Sequence, residues 1–300
     1  MLGSAAGQLA RERTMHSGNT LKTLFWLAML SGLLVLVGGA LAGSRGLALG
    51  LGMAVVMNGV AYFFSDKIAL ASSGAQPVSR EEAPKLYQVM ERLCGKANLP
   101  MPKLYLIPER APNAFATGRN PNHASVAATV GLMELMNEDE LEGVIAHELS
   151  HVRNYDILTT SVAATLAAAI TFLARMAGWG MMLGGGGRDD EDRGGGVLGS
   201  LLMIFLAPLA AMLLQLMISR RREYAADESG ARLVGHPYGL ISALEKLGAY
   251  NQRIPMATTP ATSSLYIVKP FSPGGIANLF STHPPLEDRI AVLRQMTAAR

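Results

Sequence analysis

Two uncharged, mostly apolar runs stand side by side near the N-terminus, one between Lys22 and Arg45 and one between Arg45 and Asp66. Each is roughly 20 residues long, the length at which a helix crosses the hydrocarbon core of a bilayer. Lipid offers a backbone no hydrogen-bond partners, so such runs must fold as helices. Gly43, Ser44 and Gly46 supply a tight turn between them, and the pair is expected to form a helical hairpin. Two more apolar runs follow, one from Asp156 to Arg175 with apolar residues continuing to Leu183, the other from Arg193 to Arg220. Their near absence of charge favours membrane insertion over burial in a soluble core. Ala40-Leu41-Ala42 resembles a signal-peptide cleavage site. However, the first run exceeds a usual signal core and another follows at once, so it is taken as a span.

Composition agrees. Half of the chain is hydrophobic and only 16% is charged, against about 25% in a typical soluble domain. Disorder is excluded by the same figures. One cysteine, Cys94, rules out a disulfide framework or a Cys-based metal site within the chain and is expected to be a small core residue. The net charge of +3 is carried near the span ends: Arg11, Arg13 and Lys22 before the first, Lys67 after the second, Arg220, Arg221 and Arg222 after the fourth. Lys and Arg accumulate on the cytoplasmic side, so the N-terminus and both polar regions are expected to face the cytoplasm. With no aromatic residues interleaved among these charges, nucleic acid is not an expected partner.

In the first polar region, residues 71–79 have a linker composition, and 80–99 carries Leu86, Val89, Met90 and Leu93 at helical spacing. Lys103–Ile107, Asn113–Gly118 and Ser125–Val130 are expected to be short strands. Arg119-Asn120-Pro121-Asn122 turns the last two into a hairpin, leaving His123 exposed. Asn137 and Glu140 form a capping-box signature for a helix running from Glu138 to about Tyr155 and on into the third apolar run almost without a break. Gly184–Gly196 is a glycine-framed acidic loop without a cation-ligand pattern. Helices are expected over Arg221–Val234, Tyr238–Tyr250 and Pro285–Met296.

The capped helix carries His147-Glu148-Leu149-Ser150-His151. Positions i and i+4 share a helical face, so both imidazoles can bind one zinc ion. Glu148 stands where its carboxylate reaches a zinc-activated water and takes its proton. A catalytic zinc needs a third protein ligand. No further histidine follows soon after His151. Glu223 and Asp227, four apart, are the best remaining pair: Glu223 to complete the ligand set, Asp227 to hold the outer nitrogen of a ligating histidine.

HELSHVRNYD followed by RREYAAD resembles the HtpX-type membrane metalloproteases, a gluzincin group related to the CAAX prenyl proteases. NAFATG, STHPPLEDRI and the apolar runs fit the same group. The resemblance implies a bacterial inner-membrane enzyme with a cytoplasmic active site, acting in quality control on misfolded membrane proteins or unfolded polypeptides. It implies His147, His151 and Glu223 as zinc ligands, Glu148 as general base and Asp227 behind the ligands. It also implies that His283, in His283-Pro284, stabilises the oxyanion and that Arg289 supports the same region. The short strand beginning at Asn113 and Ala114 is suited to bind substrate by strand addition.

The expected architecture is therefore an α+β membrane protein, mostly helical, with a small sheet beside the HExxH helix. Residues 1–20 form a cytoplasmic tail and 21–66 a transmembrane hairpin. Residues 67–300 form a zinc metallopeptidase domain interrupted by apolar helices at about 157–183 and 197–219. The competing functions are a CAAX-type prenyl-protein protease, disfavoured by the small number of spans, and a catalytically silent zinc-binding adaptor, disfavoured by the presence of Glu148.

Overall fold

The computed structural model of the protein describes residues 2–165, 220–251, 265–268 and 284–298. Most of the apolar runs at 157–183 and 197–219, the acidic loop 184–196 and His283 lie outside the described residues.

The chain is mostly helical around one small mixed sheet. Helix α1 covers Leu2–Ser72. Strand β1 (Gln76–Pro77) lies within the stretch whose composition suggested a plain linker. It pairs antiparallel with β2 (Lys103–Ile107). Between them runs α2 (Pro84–Ala97), which opens on proline and ends on Asn98 in the left-handed region. Strands β3 (Ala114–Gly118) and β4 (Ala124–Thr129) form the expected antiparallel hairpin. The sheet order is β1-β2-β4-β3, with β2 and β4 parallel, so β3 is an edge. A short helix α3 (Val130–Leu135), not anticipated from the sequence, is capped by the Thr129 hydroxyl, which accepts from Leu132 N.

Helix α4 (Glu138–Arg153) is the hub. Asn137 Oδ1 accepts from Glu140 N and Glu140 Oε2 accepts from Asn137 N, which closes the capping box. Helix α4 packs on α2, β3, α6 (Arg220–Val234) and α7 (Tyr238–Asn251). Leu86, Val89, Met90 and Leu93 of α2 meet Leu141, Val144, Ile145 and Leu149 of α4 and Leu240 and Leu244 of α7 in one core. Helix α8 (Leu286–Ala298) closes this core with Leu293. The α4–α6 contact depends on Gly230: a methyl group there would lie 2.9 Å from His147 N. Only glycine lets the two backbones approach this closely.

Helix α4 stops at Asn154, and Tyr155 takes φ +59° before a helical segment, α5, resumes over 156–165. The near-continuous helix expected from the sequence is thus broken at one left-handed residue. Segment α5 ties neighbouring elements together: the Ser161 and Thr117 hydroxyls lie 2.6 Å apart, and those of Thr159 and Thr23 of α1 lie 2.9 Å apart. Among the described residues, one stretch is long and apolar enough to cross a membrane, Gly43–Ser72 of α1, and only 17% of its most apolar window is buried.

Candidate active site

His147 and His151 lie one turn apart on α4, and their Nε2 atoms are 3.2 Å from each other. Helix α6 brings Glu223 over both. One carboxylate oxygen is 3.8 Å from Nε2 of His147 and the other 3.6 Å from Nε2 of His151. Two ligands of a tetrahedral zinc, each roughly 2.05 Å from the metal, lie about 3.3 Å apart. The spacing and the donor types therefore fit a divalent ion of the zinc kind, and all three donors lie within 4.8 Å of one another.

The outer nitrogens of both imidazoles face carboxylates. Nδ1 of His147 is 2.8 Å from Asp227 Oδ1, and Nδ1 of His151 is 3.1 Å from Asp156 Oδ2. With Nδ1–H donated outward, each Nε2 presents its lone pair to the shared centre. Asp227 is held in turn by Arg289, which donates from Nε (2.8 Å) and Nη2 (2.6 Å) to its two oxygens. A third Arg289 donor reaches Ile267 O at 2.9 Å. Burial opposes the charge on Asp227, but Arg289 and His147 together outweigh it and keep the carboxyl below its ordinary pKa. Burial likewise opposes the charge on Arg289, and Asp227 more than restores it.

Glu148 is buried in the same cavity, which is also lined by Ala116, Asp156, Thr160, Arg222, Leu265 and Ile267. Burial drives its carboxyl above the ordinary value, against the pull of His147 and His151; Glu223 adds to the rise, and the Ala116 amide opposes it. Burial would lower the pKa of His151, but Asp156, Glu223 and Glu148 together raise it to about 9.

Asn113 and Ala114 lie at the start of β3. Ala114 O accepts from Ile267 N at 3.0 Å. The Asn113 side chain donates to Val268 O at 2.7 Å and accepts from Val268 N at 3.3 Å. The structure thus gathers His147, Glu148, His151, Glu223, Asp227 and Arg289 at one place, with Asn113 and Ala114 at the start of the strand that lines the cavity through Ala116. Sequence reasoning passed over Asp156, Leu265 and Ile267. Cys94 is not among the residues lining this cavity, and burial pushes its thiol up to about 11, as suits a core residue.

A buried His-Glu-His face with a second acidic helix above it defines a metal-dependent peptidase. The chain matches peptidase family M48 over residues 79–297, and it belongs to that family; it is a metalloprotease. It is 52% identical over 283 residues to a "Protease HtpX homolog" of Desulfatibacillum aliphaticivorans, covering 94% of this chain and 90% of that one. A protein of the same description from Syntrophobacter fumaroxidans is 53% identical over 281 residues, covering 93% and 100%. Another from Thermodesulfovibrio yellowstonii is 54% identical over 278 residues, covering 93% and 98%. Among solved structures, S. mikatae Ste24p shares the fold, with a TM-score of 0.52 at 19% identity over 95% of this chain and 67% of that one.

Proposed function

We propose that this metalloprotease is a multi-pass protein of the bacterial inner membrane that binds one zinc ion and hydrolyses peptide bonds of misfolded or damaged membrane proteins from the cytoplasmic side. The observation that carries the reading is the convergence of His147 Nε2, His151 Nε2 and the Glu223 carboxylate beside the buried Glu148.

In this reading the three convergent groups hold the zinc. When bound, zinc supplies Lewis acidity that makes water a nucleophile near neutral pH. The Glu148 carboxylate takes the water proton and delivers it to the departing amide nitrogen. Its raised pKa suits both tasks, because it must lose and regain a proton near working pH. Asp227 and Asp156 keep the proton of each ligand imidazole on Nδ1. Arg289 fixes Asp227. His283 is assigned to the tetrahedral oxyanion on the family resemblance. The substrate is placed against β3 at Ala116, which lines the cavity; Asn113 and Ala114, whose edge is already taken by Ile267 and Val268, shape the site through the residues they anchor.

The membrane hairpin over 21–66 has its own support. Asn58 Nδ2 donates to Ser31 Oγ at 2.8 Å and approaches Leu27 O at 3.5 Å. In a straight helix, residues 31 apart are separated by about 46 Å. Gly43, at φ +59°, lies between them, and a methyl group on Gly38 would strike the carbonyl of Gly46. Large apolar side chains such as Leu36 and Leu49 are more than 70% exposed, as lipid-facing residues are. The spans at 157–183 and 197–219 rest on hydropathy, and the cytoplasmic orientation on the Lys and Arg positions.

The test is proteolysis of a loosely folded protein by detergent-purified chain, prepared in chelator and then given zinc, beside Glu148→Gln. Cleavage by the wild type only, and only with zinc, is expected. Equal cleavage by both would remove Glu148 from the mechanism. Zinc bound stoichiometrically with no cleavage would overturn the broad endopeptidase reading.

A further inference from the structure

Residues 265–268 form a short, bent piece of chain pinned beside the metal ligands. Ile267 N donates to Ala114 O, and Val268 exchanges two hydrogen bonds with the Asn113 side chain. Arg289, which grips Asp227, also donates to Ile267 O. The piece is therefore held from the β3 side and from α8, and its position relative to Glu148 is set by the framework that orients His147. It is also buried: Tyr266 and Ile267 are 1% exposed, Val268 5% and Leu265 8%. A backbone buried and bonded on both sides is a fixed wall.

Leu265 and Ile267 face the cavity that contains His147, Glu148 and His151. Tyr266 turns away and meets Phe115 edge-to-face, with ring centroids 5.3 Å apart. Beside the ionisable groups, the cavity is lined by Leu265, Ile267, Ala116 and Thr160, none of which carries a charge. The two arginines nearest the ligands already face carboxylates, Arg289 on Asp227 and Arg222 3.6 Å from Asp156.

We infer that Leu265 and Ile267 are specificity-determining residues: they receive the substrate side chain next to the scissile bond and select an uncharged, apolar one of moderate size. This rests on the proposed peptidase chemistry at Glu148. A charged side chain packed against Leu265 and Ile267 would lose its water without gaining a partner from either, which is costly. A bulky ring would meet the branched side chain of Ile267.

The experiment measures kcat/KM of the zinc-loaded full chain in detergent on a peptide series. The peptides differ only at the residue beside the cleaved bond: Ala, Val, Leu, Phe, Asp and Lys. Wild type is expected to prefer Val and Leu over Phe, Asp and Lys. Ile267→Ala is expected to raise the Phe-to-Val ratio roughly tenfold or more, since a few methylenes in an apolar pocket are worth about that much. Leu265→Ala is expected to shift the ratio the same way, while Ile267→Phe should shift it toward Ala. If Ile267→Ala does not retain zinc, Ile267→Val gives the same comparison with a smaller shift of the same sign.

An unchanged ratio in every variant that retains zinc would overturn the assignment. A uniform rise for all six peptides would also overturn it and make 265–268 a removable cover. Failure of the wild type to cleave any protein or peptide would sink the peptidase chemistry itself, and the two failures are distinguishable.

Discussion

Asp156 Oδ2 lies 3.1 Å from Nδ1 of His151, the mirror of Asp227 at 2.8 Å from Nδ1 of His147. The two carboxylates come from opposite directions, Asp227 from the acidic helix above the ligands and Asp156 from the start of the helix that follows them. Both are buried. Each imidazole is thereby held in one orientation, with Nδ1–H donated outward, before any metal arrives.

Replacing either carboxylate by its amide keeps the shape but removes the charge. Asp156→Asn and Asp227→Asn are each expected to weaken zinc binding by about 10–100-fold, as loss of such outer partners does elsewhere. Competition with a calibrated zinc chelator measures this. Wild-type affinity in Asp156→Asn would show that its contact with His151 does not support the ligand.

Arg289 is fully buried and donates twice to Asp227 and once to Ile267 O. Truncating one partner of a buried ion pair strands the other, at about 3–5 kcal/mol. Arg289→Met is expected to lower thermal stability and zinc affinity together. Arg289→Lys is expected to recover only part of both, because an ammonium cannot make the forked contact. Melting temperatures with and without zinc test this, and full recovery by Lys would show that the fork is unnecessary.

Gly230 lies seven residues beyond Glu223, two turns further along the same face of α6, where that helix touches the backbone of His147. Gly230→Ala forces α6 and α4 apart by a few tenths of an ångström and carries Glu223 with it. The expected result is at least a tenfold loss of hydrolysis with smaller damage to the fold, since a small misplacement near the chemistry can cost far more than that. Circular dichroism beside kcat/KM separates the two effects; equal activity in Gly230→Ala would mean that α6 tolerates the shift.

Local periodicity and short motifs made much of this legible from the sequence. The α4 cap, the α2 apolar face, the β3–β4 hairpin and the His147–His151 pair each lie within one element, where spacing translates directly into geometry. What was missed needs the third dimension. If the helix ran on, Asp156 would stand about 140° around the axis from His151; the left-handed Tyr155 brings it back. Leu265 and Ile267 carry no sequence motif, and only their bonds to Asn113, Ala114 and Arg289 place them in the site. The parallel pairing of β2 with β4 skips over β3, which no local pattern records.

The raised pKa of His151 makes zinc binding and stability depend on pH in opposite ways. In the metal-free protein the imidazole titrates at about 9 against its ordinary 6.5. The folded state therefore binds the proton more tightly than the unfolded one. The resulting stabilisation is complete below about pH 6.5 and disappears as pH rises through about 9. Zinc requires the neutral imidazole, so protons compete with it over the same window, and its apparent affinity rises toward pH 9. At buffered free zinc, the gap between melting temperatures with and without metal is expected to widen steadily from pH 6.5 to 9. In Asp156→Asn, which weakens the hydrogen bond that most raises His151 and removes a charge beside it, the gap should change much less across that range. A wild-type gap that is constant with pH would show that His151 does not bind its proton this tightly or does not bind the metal.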